Sequence, residues 1–440
     1  MKQAIILAGG KGTRLKERLG DLPKPLIDIS GTPLLEHQIM LLKKYDFTDV
    51  IILVEYQAEK IISFCKKFKG LGINITCIND GKAMGTAGAI LKIYDKLDSE
   101  FLVIYGDTML NVNFDSFYEY HKMGNKAHVT LFVHPNDHPH DSDLVEIDDN
   151  GLIVGFHSYP HESFNFYPNL VNAGLYYFKK EALFNWKDNK LLLDFGKDLF
   201  PTMLNDKIKL RGYNSTEYIK DCGTPKRLDK VCLDFINLKI EKSSLENKQK
   251  VIFIDRDGTV NVEKGLISNV NQFDLLPQTI EAIKSINNSE YLVCLVTNQP
   301  VIARGDCTNA QLKQIHNKME TLLGKQGAYL DRIYFCPHHP DSGFEKEIKY
   351  LKIKCACRKP ETGMIDNAVI DLNIDLTSSW FIGDSTVDML TAKNAKIKSI
   401  LVKTGLGGQD NRHKISPDFV FNNLSAAVDF ILTNYGKLDF

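Results

Sequence analysis

Val251-Ile252-Phe253-Ile254-Asp255-Arg256-Asp257-Gly258-Thr259-Val260 is an apolar run of strand length that ends in two aspartates one residue apart, then Gly-Thr. A short unbroken apolar run fits a strand buried on both faces of a parallel sheet. Two carboxylates spaced by one residue at such a strand end are expected to point into one site. There Asp255 can attack phosphorus while Asp257 protonates the leaving alkoxide and then activates water, by way of an aspartyl-phosphate. Mg²⁺ between Asp255 and the phosphate would offset their repulsion, and Asp257 is expected to share in holding it. A further carboxylate is supplied by Asp384 in Phe381-Ile382-Gly383-Asp384-Ser385-Thr386-Val387-Asp388, again after an apolar strand.

The chain opens with a second strand that runs into a loop of another kind, Ala4-Ile5-Ile6-Leu7-Ala8-Gly9-Gly10-Lys11-Gly12-Thr13-Arg14-Leu15. Glycines let backbone N–H groups close on phosphate oxygens. Pro23-Lys24-Pro25 holds a lysine on a stiff backbone shortly afterwards, and Gly106-Asp107 follows the apolar run Phe101–Tyr105, where an aspartate is placed to hold Mg²⁺. Two active sites of unlike chemistry are expected on one chain.

In the first half, apolar runs at Val50–Val54, Phe101–Tyr105 and Val129–Val133 alternate with helical patterns at Leu34–Tyr45 and Ala58–Phe68. That is βαβ order, and it predicts a mostly parallel sheet covered by helices. A helical pattern over Leu233–Ile240 carries into a charged stretch with no apolar periodicity, which places a linker at 239–249 between domains 1–238 and 250–440. The rhythm then restarts, with strands expected at Val251–Ile254, Tyr291–Thr297, Arg332–Phe335, Ser379–Ile382 and Ser399–Val402.

A chain of 440 residues suits two or three domains at roughly 100–200 residues each. A net charge of −1 and no basic run argue against nucleic acid as a bulk partner. No apolar run reaches the ~18 residues of a membrane span. Met1-Lys2-Gln3 leads directly into a functional strand, so the expectation is a cytoplasmic protein without a cleaved signal. Nine cysteines include one cluster with ligand-like spacing. Cys65, Cys77, Cys222, Cys232, Cys294 and Cys307 read as small buried or half-buried side chains. Cys336-Pro337-His338, sixteen residues and Cys355-Ala356-Cys357 together match a closed tetrahedral structural Zn²⁺ site, with His339 the rival to His338. Such a site would pin the loop that carries Arg358 and Lys359 over the phosphate pocket.

Residues 1–235 resemble the sugar-phosphate nucleotidyltransferase family, through the opening glycine loop, Pro23-Lys24-Pro25, Gly106-Asp107, Gly85-Thr86-Ala87-Gly88-Ala89, Val171-Asn172-Ala173-Gly174 and Asp221-Cys222-Gly223-Thr224-Pro225. The resemblance implies a Rossmann-like fold with a mixed sheet and in-line attack of a sugar 1-phosphate on the α-phosphorus of a nucleoside triphosphate, expelling pyrophosphate. Gly9, Gly10, Gly12 and Thr13 would meet the triphosphate, and Arg14 and Lys24 the developing charge. Gly85 and Thr86 would border base and sugar, Asn172 and Gly174 would contact the sugar, and Asp107 with Asp221 would hold Mg²⁺. The family's lysine for the sugar phosphate is missing from His157-Ser158-Tyr159-Pro160-His161-Glu162, where His157 or His161 is the available substitute.

The second half resembles the haloacid-dehalogenase-like phosphatases, which implies a Rossmannoid fold in which Thr297 binds a phosphoryl oxygen and Lys359 balances charge. The zinc loop narrows the resemblance to the branch of D-glycero-D-manno-heptose 1,7-bisphosphate 7-phosphatases and histidinol-phosphate phosphatases. Thr297-Asn298-Gln299, Ala303-Arg304-Gly305 and Cys357-Arg358-Lys359-Pro360 lie closer to the heptose enzymes. On that reading Asn298, Gln299, Arg304 and Arg358 contact sugar or phosphate. Pro300-Val301-Ile302 departs from the family's usual Ser-Gly before the arginine.

The two resemblances fit together if removal of the 7-phosphate gives a heptose 1-phosphate that the first domain activates. The triphosphate favoured is GTP, by similarity to guanylyltransferases acting on that sugar, and the setting is bacterial surface-glycan precursor synthesis. Alternatives are a histidinol-phosphate-type phosphatase joined to a transferase for another sugar 1-phosphate, and a phosphatase regulated by a non-catalytic nucleotide-sugar sensor. Oligomerisation is left open.

Overall fold

The uninterrupted apolar run at the start of the chain follows from a strand covered on both sides. In Lys2–Leu7, Ala4 and Ile6 enter the core on one face of the sheet and Ile5 the core on the other. The computed structural model describes residues 2–79, 81, 84–124, 127–162, 164–188 and 192–434, so Met1 and 435–440, the outer ends of the two expected domains, lie outside it. The chain forms two units. One contains Met1–His134, Ser142–Pro160 and Leu170–Ser244, and the other Pro135–Asp141, His161–Asn169 and Leu245–Phe440.

The first unit is built on a nine-stranded mixed sheet. Four strands run parallel in the order Glu100–Tyr105, Lys2–Leu7, Phe47–Val54, Asn74–Asn79. Beyond Glu100–Tyr105 the sheet turns antiparallel at Val171–Lys179, which also pairs with Val129–His134 and Leu144–Ile147. The chain leaves Lys2–Leu7 toward one side of the sheet and returns at Glu100–Tyr105 on the other. The loops after these two strands therefore diverge, and a crevice opens at their carboxyl ends.

The second unit holds a six-stranded parallel sheet in the order Arg332–Cys336, Tyr291–Asn298, Lys250–Ile254, Trp380–Gly383, Lys398–Val402, Phe419–Phe421. Val251 and Phe253 enter one core, Ile252 and Ile254 the other. The strand order reverses beside Lys250–Ile254, so the ends of this strand, Tyr291–Asn298 and Trp380–Gly383 frame the second crevice. Within this unit Tyr167 N–H donates to Thr321 Oγ1 at 3.1 Å and Thr321 Oγ1 donates to the Tyr167 carbonyl at 3.2 Å.

Two local expectations differ from the structure. The helical pattern Leu233–Ile240 is broken: one helix spans Pro225–Ile236, Leu238 takes a left-handed conformation at φ 57°, and a short helix follows at Lys239–Lys242. The stretch 239–249 is also more ordered than its composition suggests. Ile240, Ser244 and Gln249 are buried, and Gln249 exchanges backbone hydrogen bonds with Asn373 and Asp375 at 3.0 and 2.9 Å. Single apolar or backbone anchors inside a polar run leave no periodic signal.

Candidate active sites

At the first crevice, Gly106 N–H donates to the Leu7 carbonyl at 3.0 Å, and a β-carbon on Gly106 would sit 2.7 Å from that oxygen. The close approach lets Asp107 stand beside the glycine loop. A cavity of about 380 Å³ opens there, walled by Gly9, Gly10, Gly12, Lys24, Gly85, Thr86 and Asp107 among the residues singled out from sequence. Lys24, buried in the short turn Lys24–Leu26, pairs its ammonium with the Asp107 carboxylate.

Asp221 lies opposite Thr108 in a two-stranded ribbon, and Cys222 N–H donates to the Asp107 carbonyl at 2.7 Å, so the Asp107 and Asp221 backbones run side by side. Asp221 accepts from Gly223 N–H at 2.9 Å and from Arg227 at 3.1 Å. A β-carbon on Gly223 would lie 2.5 Å from Asp221 Oδ1, 3.3 Å from Arg14 Nη2 and 3.5 Å from Lys24 Nζ. Arg14, Lys24 and Asp221 thus meet at this glycine, although Thr13, Arg14, Asn172, Gly174 and Asp221 are not on the cavity wall. A β-carbon on Gly174, at φ 73°, would lie 2.8 Å from the ring of Tyr105, which does line the cavity. Neither histidine lines it: His157 faces the region of Gly155 and Glu146, and His161 belongs to the second unit, with its ring 5.3 Å from Tyr167.

The second crevice is a cavity of about 430 Å³ whose walls include Asp255, Asp257, Thr297, Asn298, Gln299, Arg304, Arg358, Lys359 and Asp384. Lys359 Nζ bridges Asp255 at 2.7 Å and Asp388 at 2.6 Å, all three being buried. Oxygens of Asp255, Asp384 and Asp388 lie within 4.8 Å of one another. Three carboxylates around one ammonium leave an excess of negative charge, and hard oxygen donors this close suit Mg²⁺. Burial, against the pull of Lys359 and with the push of Asp388 and Asp257, raises Asp255 to about 7. Burial and then Asp255 and Asp388 raise Asp384 to about 8.

Asp257, which was also expected to share in the metal site, lines the same cavity but stands outside this group of three close carboxylates. Arg256, itself fully buried, donates through Nη2 to both Asp257 oxygens at 2.9 Å, while Asn261 and Gln299 donate at 3.1 and 3.0 Å. Burial alone would raise Asp257, but these donors, Arg256 foremost, hold it below the usual carboxylate range. Asn298 also has a task that spacing did not show. Its Nδ2 donates to the Lys359 carbonyl at 3.0 Å and its Oδ1 accepts the Lys359 N–H at 2.9 Å, which clamps the lysine's backbone.

Cys336, His338, Cys355 and Cys357 converge at the edge of this unit. Sγ–Sγ separations are 3.6, 3.2 and 3.3 Å, and His338 Nδ1 lies 3.6 and 3.3 Å from Cys336 and Cys357. These are far beyond the ~2.05 Å of a disulfide. They approach the edges, about 3.7 Å, of a tetrahedron with Zn–S near 2.3 Å. The donor set fits Zn²⁺. His339 instead accepts the Asp341 N–H at 3.1 Å and lies on the cavity wall. All nine cysteines are free.

The family description Nucleotidyl transferase matches residues 3–236, and a HAD hydrolase-like description matches 356–427. The D-glycero-beta-D-manno-heptose-1,7-bisphosphate 7-phosphatase of Pasteurella multocida is 44% identical over 158 residues, covering 36% of this chain and 83% of that protein. Its namesake in Haemophilus ducreyi is 37% identical over 185 residues, covering 42% and 98%. The chain joins a member of the nucleotidyl transferase family to a member of this phosphatase family. Both halves are therefore enzyme domains, a nucleotidyltransferase and a phosphatase. Among solved structures, HddC from Yersinia pseudotuberculosis is 26% identical over 53% of this chain and all of its own, with a TM-score of 0.47. Among the described residues no helix is long and apolar enough to cross a membrane.

Several residues in the two enzyme sites escaped the sequence reading. In the transferase half Asp194 lines the cavity and accepts from Thr86 Oγ1 at 2.8 Å, and Glu55 and Tyr105 are also on the wall. In the phosphatase half Arg256, Asp388 and the neutral His316, whose Nε2 lies 3.4 Å from Arg256 Nη1, complete the setting of Asp257 and Lys359. Burial and then the Arg256 charge hold His316 down to about 3. Asp388 is the exception: at the end of the Phe381–Asp388 motif it reads from sequence as a cap or an ion-pair partner, and the structure makes it both, with Ser385 and with Lys359.

Proposed function

We propose that the two domains, 1–238 and 250–440, act in sequence: the second removes the 7-phosphate of D-glycero-D-manno-heptose 1,7-bisphosphate, and the first couples the resulting heptose 1-phosphate to a nucleotide, with release of pyrophosphate. The observation that carries the reading is the kinship to named heptose bisphosphatases over most of their length, together with Asp255, Thr297, Lys359 and Asp384 around one cavity. GTP is the triphosphate expected, and a cytoplasmic setting would supply it.

In the phosphatase site, Asp255 attacks phosphorus as the bond to the sugar oxygen breaks. Lys359 and Thr297 face the phosphoryl oxygens, and Asp257 gives the leaving oxygen its proton. Arg256 favours ionised Asp257, which suits the later step in which Asp257 takes a proton from the water that attacks the aspartyl-phosphate. An incoming phosphate dianion opposes Arg256 and draws a proton to Asp257 for the first step. Asp255, Asp384 and Asp388 would hold Mg²⁺, which supplies charge neutralisation when bound. In the transferase site, the glycine loop, Lys24 and Arg14 orient the triphosphate and face the charge that builds as the sugar phosphate displaces pyrophosphate. Asp107 and Asp221 would hold its Mg²⁺. Cys336, His338, Cys355 and Cys357 would hold Zn²⁺ as a structural brace.

The test gives the full chain Mg²⁺, heptose 1,7-bisphosphate and each of the four nucleoside triphosphates, and follows phosphate, pyrophosphate and nucleotide-heptose by mass spectrometry. Phosphate release from histidinol phosphate but not from the heptose bisphosphate would overturn the substrate assignment. Absence of sugar-dependent pyrophosphate would overturn the transferase assignment.

A further inference from the structure

Among the described residues three carboxylates line the transferase cavity, those of Glu55, Asp107 and Asp194. Two of them are engaged. Asp107 pairs with the Lys24 ammonium. Asp194 accepts from Gly196 N–H at 2.9 Å and Lys197 N–H at 3.2 Å through Oδ1, and from Thr86 Oγ1 at 2.8 Å through Oδ2. Glu55, half-buried, receives a hydrogen bond or ion pair from none of the described residues.

Glu55 follows the strand Phe47–Val54 and Asp107 follows Glu100–Tyr105, and these strands flank Lys2–Leu7 on opposite sides. The two backbones therefore stand on either side of the glycine loop, roughly 10 Å apart at two strand spacings. A β-carbon on Gly9 would lie 3.4 Å from Glu55 Cβ and 3.9 Å from its Oε2, which sets Glu55 against that loop. Lys24 is held on the Asp107 side, so phosphates are drawn there and repelled from Glu55. Around Glu55 the wall is apolar, with Leu7, Ala8 and Leu53. A nucleotide with its phosphates at Lys24 thus brings its base to this side, where an apolar floor meets a carboxylate that can only accept.

We infer that Glu55 reads the base of the nucleoside triphosphate and is the residue that selects guanine. A carboxylate offers two acceptors side by side, and the pairing edge of guanine offers two adjacent donors, N1–H and N2–H, so the match is bidentate and charge-assisted. Adenine and cytosine set a ring acceptor beside their amino donor, and uracil flanks its single donor with carbonyl oxygens, so each meets Glu55 with a repulsive contact. The inference deepens the functional reading above, on which it rests in taking the ligand to be a nucleoside triphosphate.

The experiment measures dissociation constants by calorimetry for GTP, ITP, ATP and dGTP on the full-length protein with Mg²⁺ and no sugar, in wild type and Glu55→Gln. ITP lacks only the 2-amino group of GTP, and dGTP only the 2′-hydroxyl. Wild type is expected to bind GTP about tenfold or more tighter than ITP or ATP, and dGTP as tightly as GTP. In Glu55→Gln the amide oxygen still accepts N1–H while the amide NH₂ opposes the 2-amino group, so the preference for GTP over ITP falls to about one. ITP binding holds in that variant, which shows that the site is folded. Equal affinity for GTP and ITP in wild type, or a preference that survives Glu55→Gln, would overturn the inference. So would a wild-type penalty on dGTP that disappears in Glu55→Gln, since it places the carboxylate on the ribose. Guanine selection through Glu55 without consumption of heptose 1-phosphate counts against the functional reading alone. Turnover of GTP with heptose 1-phosphate and a preference unmoved by Glu55→Gln counts against this inference alone.

Discussion

Asn298→Ala separates two accounts of one residue. The sequence suggested that Asn298 touches the sugar or phosphate, whereas the structure shows both ends of its amide engaged by the Lys359 backbone, at 3.0 and 2.9 Å. Truncation removes two hydrogen bonds worth about 0.5–1.5 kcal/mol each. If the loss falls on the placement of the Lys359 ammonium, 2.7 Å from Asp255, the transition state loses roughly 1–3 kcal/mol, or about fivefold to 150-fold in kcat at 1.36 kcal/mol per decade. Substrate binding changes little, so KM stays within about a factor of two and kcat/KM falls with kcat. Steady-state phosphate release reads both constants directly. A raised KM with kcat intact would show that Asn298 binds substrate, and would refute the clamp.

Asp255→Asn should abolish phosphate release from the bisphosphate and leave pyrophosphate production intact when heptose 1-phosphate is supplied directly, and Asp107→Ala should do the reverse; loss of both activities in either folded variant, each assayed on its own substrate, would sink the two-site reading. Metal analysis should find about one Zn²⁺ per chain, lost in His338→Ala and retained in His339→Ala, because only His338 Nδ1 reaches the thiols. Cys357→Ser should lower phosphatase turnover through the adjoining Arg358 and Lys359, and full activity in a zinc-free protein would contradict the brace. In Mg²⁺-free buffer, Asp384 keeps its proton in the folded state up to about 8 but loses it near 3.8 when unfolded. Its folded value is raised, so its contribution is complete at low pH and is lost as pH rises across that window, and the melting temperature should fall from pH 5 to pH 8. Asp384→Asn should flatten this trend and Mg²⁺ should offset it. A wild-type melting temperature that rises with pH over that range would contradict the assignment.

What could be read from the chain followed a physical rule: both sites stand where strands end at a reversal of sheet order, and strand ends are visible as apolar runs that stop. The convergence of Cys336, His338, Cys355 and Cys357 was legible for a similar reason, since two close pairs of thiol and imidazole donors match the needs of a tetrahedral metal, although the spacing left His339 as a rival to His338. Contacts between distant parts of the chain were not legible. Asp194 meets Thr86 across 108 positions, and nothing near either residue signals the other.

Asp257 shows how a local rule can bring a side chain to its site and still miss its partner. Both carboxylates reach the wall of one cavity, as their spacing implied, although the strand ends at Ile254 and the chain turns from Asp255 onward. Asn261 and Val260 N–H groups both donate to the Arg256 carbonyl, at 3.1 and 2.8 Å, closing a turn in which the Arg256 side chain folds back on its neighbour. The guanidinium is fully buried and would be costly without a carboxylate, so it claims Asp257 for itself. The group of three close carboxylates is completed by Asp388, four residues beyond Asp384 on the first turn of the next helix, where the same carboxylate caps Ser385 and pairs with Lys359. A residue that looks like a cap in the sequence therefore serves two charges at once, because the helix start and the strand end are fixed to the same edge of the sheet.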